Sequence, residues 1–168
     1  VEPASHPVFQ MQPLPAVMPV AGNPVVPLLV GVVGHRDLVP EEMPAIRVAA
    51  EQLLRAIRDC QPDVPVKLLS GQAEGADLLV AEVAQELGIG IIAVLPYSGS
   101  MCRADLTGDA ARAAFDRTMA GAEQFELAPG TCGHAHDPEG LKDLRDRQFE
   151  RVGDLIALQV NVRVSRVP

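Results

Sequence analysis

Tryptophan is absent from this chain of 168 residues, tyrosine occurs once and phenylalanine four times. Aromatic rings cannot supply the core, so Val, Leu, Ile and Ala must fill it, which suits a sheet covered on both faces by helices. Basic charge is also short: 14 Lys and Arg stand against 22 Asp and Glu, a net charge of −8. With neither a basic surface nor stacking aromatics, general nucleic-acid binding is disfavoured. A local cationic pocket for a phosphate is still compatible with an acidic protein. The three cysteines, Cys60, Cys102 and Cys132, form no CxxC pair. That argues against a disulfide framework and makes a reducing cytoplasm the expected compartment. No apolar run reaches the ~18 residues of a membrane span, and the N-terminus lacks the basic-then-apolar order of a secretory signal. The first residue is Val rather than Met, so the chain is expected to be a piece of a longer protein.

What is present is enough for one folded domain. Hydrophobic residues make up 48% and charged residues 21%, a balance that favours a packed core over a disordered polyelectrolyte. Residues 1–27 stand apart. Pro3, Pro7, Pro13, Pro15, Pro19, Pro24 and Pro27 exclude regular helix and central strand. The segment reads as a proline-rich linker or disordered arm. Its apolar residues, such as Phe9 and Met11, also suit a partner-docking arm.

From residue 28 to 168 short apolar runs alternate with amphipathic stretches. Leu28–Val33, Val66–Leu69 and Ile89–Leu95 read as buried strands, with Gln124–Leu127 a weaker one and Val160–Val164 a last one. Helices are expected from Pro40 through Ile57, over Ala76–Leu87, over Asp109–Ala120, and along a stretch marked by Leu141, Leu144, Val152, Leu155 and Ile156. Strict strand–helix alternation predicts an α/β, Rossmann-like three-layer sandwich with a mainly parallel sheet. Ligands of such sheets bind outside the carboxyl ends of the strands, near a topological switch point, so the loops after the strands are the candidate site.

The first of these loops is Gly34-His35-Arg36-Asp37. Gly34 allows a tight turn, Arg36 offers a permanently charged fork suited to phosphate or carboxylate, and His35 can donate or accept near neutral pH. A plain turn with a surface Arg and a packed His accounts for the same residues. The second loop runs from Ser70-Gly71 through Glu74, Gly75 and Asp77. Its small residues permit a cradle of backbone N–H groups at a helix N-terminus, which is an anion site. Glu74 and Asp77 would repel a phosphate there, and suit ribose hydroxyls, backbone N–H groups or Arg36 better. A tight turn with helix-capping acids is the alternative. Gly75 is expected to let the backbone approach the ligand, with a left-handed φ as the competing reason. The loop is neither a Walker A motif nor GxGxxG. The third loop begins Pro96-Tyr97-Ser98-Gly99-Ser100 and runs on to Arg103 and Asp105. Tyr97 either covers a base or ribose there or is an ordinary loop aromatic.

Gly31-Val32-Val33-Gly34-His35-Arg36-Asp37, Leu69 through Ala81 with Ser70-Gly71-Gln72-Ala73-Glu74-Gly75-Ala76-Asp77 at its head, and Ala93-Val94-Leu95-Pro96 together resemble the SLOG superfamily. That group takes in DprA-like and LOG-like Rossmann domains, and the likeness is to its bacterial branch with GHR and SGxAEGAD loops. It covers residues 28–159. The resemblance implies a nucleotide-derived ligand at the strand ends, held by Gly34, His35, Arg36, Ser70, Gly71, Glu74, Gly75, Asp77 and Tyr97, with no further cofactor required. Several such proteins are sensor modules in signalling, joined to a fused or separate effector. LOG-type members instead cleave the N-glycosidic bond of nucleoside monophosphates, using a PGGxGTxxE loop that this sequence lacks. Related sensors continue past the last strand into a Gly-rich turn, whereas this chain ends Ser165-Arg166-Val167-Pro168. Either the domain is truncated at its C-terminus or another segment completes the site.

Binding or sensing of a nucleotide is therefore expected, with a nucleotide N-glycosidase as the alternative; Glu74 is the best carboxylate for that chemistry. Cys132, His134, His136 and Asp137 lie close together in sequence, but their spacing is not that of a structural zinc site, and no metal is expected. The apolar stripe from Leu141 to Ile156 is the expected face of a homodimer.

Overall fold

A computed structural model describes residues 25–127 and 138–159. The sequence order is β1 (Leu28–Val32), α1 (Met43–Cys60), β2 (Val66–Ser70), α2 (Ala76–Glu86), β3 (Gly90–Leu95), α3 (Gly99–Ala104), α4 (Asp109–Met119), β4 (Glu123–Glu126) and α5 (Pro138–Gln159). All three strand pairings are parallel. The fold is the expected α/β sandwich of three layers.

Period-two alternation divides the core. Val30, Leu68 and Ile91 point to one face, where Leu54 of α1 and Ala81, Val83 and Ala84 of α2 cover them. Ala93 and Leu95 continue that face beneath Leu78 of α2 and Phe115 of α4. Leu69 and Val94 point the other way, against Val152 and Ile156 of α5. Strands buried on both faces are apolar at most positions, as in LLVGV of β1 and GIIAVL of β3.

The strand order is β1-β2-β3-β4. Each right-handed crossover steps the same way and sets α1, α2 and α4 on one face. The sheet of described strands therefore contains no topological switch point, contrary to expectation. The expected strand Val160–Val164, the arm before residue 25 and the Cys132–Asp137 loop lie outside the described residues.

Other boundaries shift for local reasons. Helix α1 begins at Met43, not Pro40: residues 40–42 form a turn in which the Glu42 N–H bonds the Val39 carbonyl at 2.9 Å. Pro44 then falls in the first turn of the helix, where its missing N–H costs nothing. The segment after Tyr97, read as a loop, contains the short helix α3; too brief for an apolar stripe, it carries no periodic signal. On α5 the buried side chains Val152 and Ile156 are 3% and 2% exposed. Val152 and Ile156, part of the apolar face assigned above to a dimer partner, are thus spent on the chain's own sheet, and the side chains of Leu141 and Leu144 lie outside the described residues. No described helix is long and apolar enough to cross a membrane.

Candidate functional site

The loops after β1 and β2 meet at the carboxyl end of the sheet, and backbone packs on backbone there. The Ala76 N–H donates to the His35 carbonyl at 3.1 Å, and the Leu78 N–H to the Ala73 carbonyl at 3.2 Å. A β-carbon added to Gly34 would stand 2.4 Å from that of Ala76. One added to Gly75 would stand 2.4 Å and 2.3 Å from the carbonyl oxygens of His35 and Arg36. Gly75 has φ 93°, a conformation nearly closed to L-residues. Its own dihedral and the loop lying across it each require glycine here.

The amides of this loop face one of the chain's own carboxyl groups. Asp77 is 7% exposed, and the backbone amides of Ala73, Gly34 and Gly71 favour its charged form. Burial pushes this carboxyl up to about 7, while the three amides pull the other way. Gly71 is needed because a β-carbon there would meet Asp77 Oδ2 at 2.9 Å. Ser70 is fully buried: its hydroxyl donates to the Asp77 carbonyl at 3.3 Å and accepts the Gln72 N–H at 3.1 Å. Gly75 thus seats the first loop on the second, while Ser70 ties the second loop to itself. The sequence places all four residues at the ligand, with backbone N–H groups as another partner for Asp77.

Glu74 faces outward and accepts from the Thr107 N–H at 3.0 Å and the Thr107 hydroxyl at 2.8 Å. The Thr107 amide holds its carboxyl below the usual range, although partial burial opposes this. Glu74 is thereby an ionised anchor for the α3–α4 connector. The His35 side chain is exposed.

Arg36 reaches across the strand ends. Its Nη2 lies 3.0 Å from Asp105 Oδ2, and its guanidinium carbon sits 5.6 Å from the centre of the Phe149 ring. From α5, Arg145 Nη1 approaches the other oxygen, Asp105 Oδ1, at 3.3 Å. Tyr97 meets Phe149 edge-to-face at 6.1 Å between centroids. Gln148 donates to the Pro96 carbonyl at 3.2 Å and clamps α5 to the end of β3. Burial raises the Tyr97 phenol above its ordinary value, so it stays a neutral hydroxyl at physiological pH. Two guanidiniums, one carboxylate and two rings therefore converge where β1 and β3 end. Arg145 and Phe149 escaped notice in the sequence, although their i,i+4 spacing on an amphipathic helix gives them one face.

Beside this cluster, a cavity of about 690 Å³ opens between loop 34–37, α1, α2 and α4, with Leu38, Met43, Leu78 and Ala111 among its apolar walls. Arg36, Glu74 and Gly75 line it as well. A third unexpected residue lies in the loop after β2. Gln72 has φ 56° and is 1% exposed, and its Oε1 accepts from the Thr118 hydroxyl at 2.7 Å while its Nε2 has no partner. Gln rarely adopts this conformation, so the sequence carries no signal for it. Among the described residues no group of three His, Cys, Asp or Glu is placed to hold a metal. Comparison with protein-family models and with curated proteins returns no match for this chain.

Proposed function

We propose that this chain binds a nucleotide or nucleotide-derived signal at the carboxyl ends of β1 and β3, with its phosphate on Arg36 and Arg145. The observation that carries the reading is the convergence of these two guanidiniums, from a loop and from a helix distant in sequence, on one carboxylate. Guanidinium forks match phosphate geometry and keep their charge at any physiological pH. The rings of Tyr97 and Phe149 give a base or ribose a surface to cover, and the adjoining cavity offers apolar walls. The Asp77 carboxylate occupies the amide cradle, so side chains rather than the N-terminus of α2 carry the anion.

The proposal includes membership of the SLOG superfamily, in its bacterial branch. A cytoplasmic sensing role, in company with an effector, is the biological form it takes. Binding without cleavage is favoured because Glu74, the best carboxylate for glycosidic chemistry, is committed to Thr107.

Thermal-shift measurements with a panel of nucleoside mono-, di- and triphosphates, cyclic nucleotides and NAD test the proposal. At least one should raise the melting temperature of the parent and not that of Arg36→Ala or Arg145→Ala. Chromatography of the same mixtures should show no free base. A panel without effect, or an effect indifferent to both arginines, would refute the assignment.

A further inference from the structure

We infer that Asp105 is a resident competitor for the anion site, so that the site admits a phosphate group bearing two or more negative charges and turns away monoanions. The inference rests on the reading above and adds the rule by which the site selects its ligand.

Asp105 is the C-cap residue of α3, on a different element from either arginine it contacts. Each of its carboxylate oxygens serves a different guanidinium, at 3.0 Å and 3.3 Å. Neither contact is a bidentate fork, and both exceed the ~2.7–2.9 Å of the strongest charge-assisted bonds. The three side chains are 32%, 23% and 34% exposed for Arg36, Asp105 and Arg145. Solvent, and hence a soluble anion, reaches all of them.

The surroundings would survive the exchange. Phe149 supports the Arg36 guanidinium from α5. The connector beyond Asp105 is held separately, by Glu74 on Thr107 and by Arg112 on the Leu106 carbonyl at 2.8 Å. Displacing the Asp105 side chain therefore dismantles neither the arginine pair nor the connector.

Selectivity follows from charge. Other acids stand nearby: Asp146 Oδ1 lies 3.4 Å from Arg145 Nε, and Glu74 is within electrostatic reach of Arg36. A monoanion entering this setting would replace one unit charge by another and gain little. A group with two or more charges offers the two guanidiniums more charge than the single unit that Asp105 shares between them.

Calorimetric titration of the full chain with inorganic pyrophosphate and with dimethyl phosphate, a monoanion, tests this. The parent should bind pyrophosphate and not dimethyl phosphate. Asp105→Asn and Asp105→Ala should tighten pyrophosphate binding about tenfold, the scale of one charged hydrogen bond, and should admit dimethyl phosphate. Asp146→Asn, which removes the same charge from beside Arg145 alone and leaves Asp105 between the two guanidiniums, should change affinity less than about twofold. Thermal melts identify a variant that has failed to fold, and the pair of Asp105 variants provides a second chance for a folded one. Weaker or unchanged pyrophosphate binding in the Asp105 variants, with parent binding still lost in Arg36→Ala, would overturn the competitor and leave the anion site standing. An equal gain in Asp146→Asn would also overturn it. Pyrophosphate binding to none of the proteins would overturn both.

Discussion

Gly75 lies directly under the backbone of Arg36: a β-carbon at Gly75 would stand 2.3 Å from the Arg36 carbonyl oxygen. The residue that presents the guanidinium is thus seated, through its main chain, on the glycine that opens α2. Gly75→Ala should destabilise the fold by about 2 kcal/mol or more, from the forbidden dihedral and the contact together. Chemical denaturation checks this. A variant as stable as the parent, deficient only in binding, would return Gly75 to the ligand.

Gly34 and Ala76 make the second seam, at 2.4 Å for an added β-carbon. Gly34→Ala should destabilise by roughly 1–3 kcal/mol, as overpacking does. Ala76→Gly alone should cost about 1 kcal/mol. In the double variant the two losses should fall short of additivity, because the second change makes room for the first. Strict additivity in a denaturation cycle would contradict direct contact.

Asp77 makes stability depend on pH. Its folded value, about 7, lies above its ordinary 3.8. The unfolded chain therefore releases this proton at lower pH than the folded one. The contribution of Asp77 to stability is full below about pH 4 and declines as pH rises to about 7. Unfolding free energies at several pH values should show that decline in the parent relative to Asp77→Asn, whose profile lacks it. A parent-minus-variant difference that is flat, or that rises with pH over the same window, would show that the three amides outweigh burial.

Arg36→Ala should separate binding from folding. The Arg36–Asp105 pair is partly exposed, so its loss should cost the fold about 0–1 kcal/mol. Nucleotide affinity should fall by about 1.5–3 kcal/mol. Matched melting and calorimetric data decide this; an unchanged affinity would remove Arg36 from the site.

The architecture was legible because its signals are local. Apolar runs at Leu28, Val66 and Ile91 and the stripes of α1 and α2 state their own periodicity. The strand order was not, since nothing in a single strand names its neighbour. The first two loops are legible, but their sequence offers Gly34 a tight turn, Gly71 a place in an amide cradle and Gly75 a ligand's approach or a left-handed φ. What their Cα atoms pack against depends on contacts between loops: Ala76, Asp77 and the carbonyls of residues 35 and 36. Asp77 looked like a ligand contact because an acid beside an amide cradle reads the same whether it faces outward or fills the cradle. Arg145 and Phe149 belong to the site only because α5 returns across the sheet, a tertiary fact with no sequence mark.

The central claim is that side chains, not the α2 amides, take the anion. Titration of the isotopically labelled chain with ADP, followed by nuclear magnetic resonance, tests it most directly. The account predicts that the Nε–H signals of Arg36 and Arg145 shift most, together with amides near Tyr97 and Asp105, while the amides of Gly34, Gly71 and Ala73 hold their positions on Asp77. Large shifts of those three amides, with both arginine signals unmoved, would contradict it and place the phosphate in the cradle.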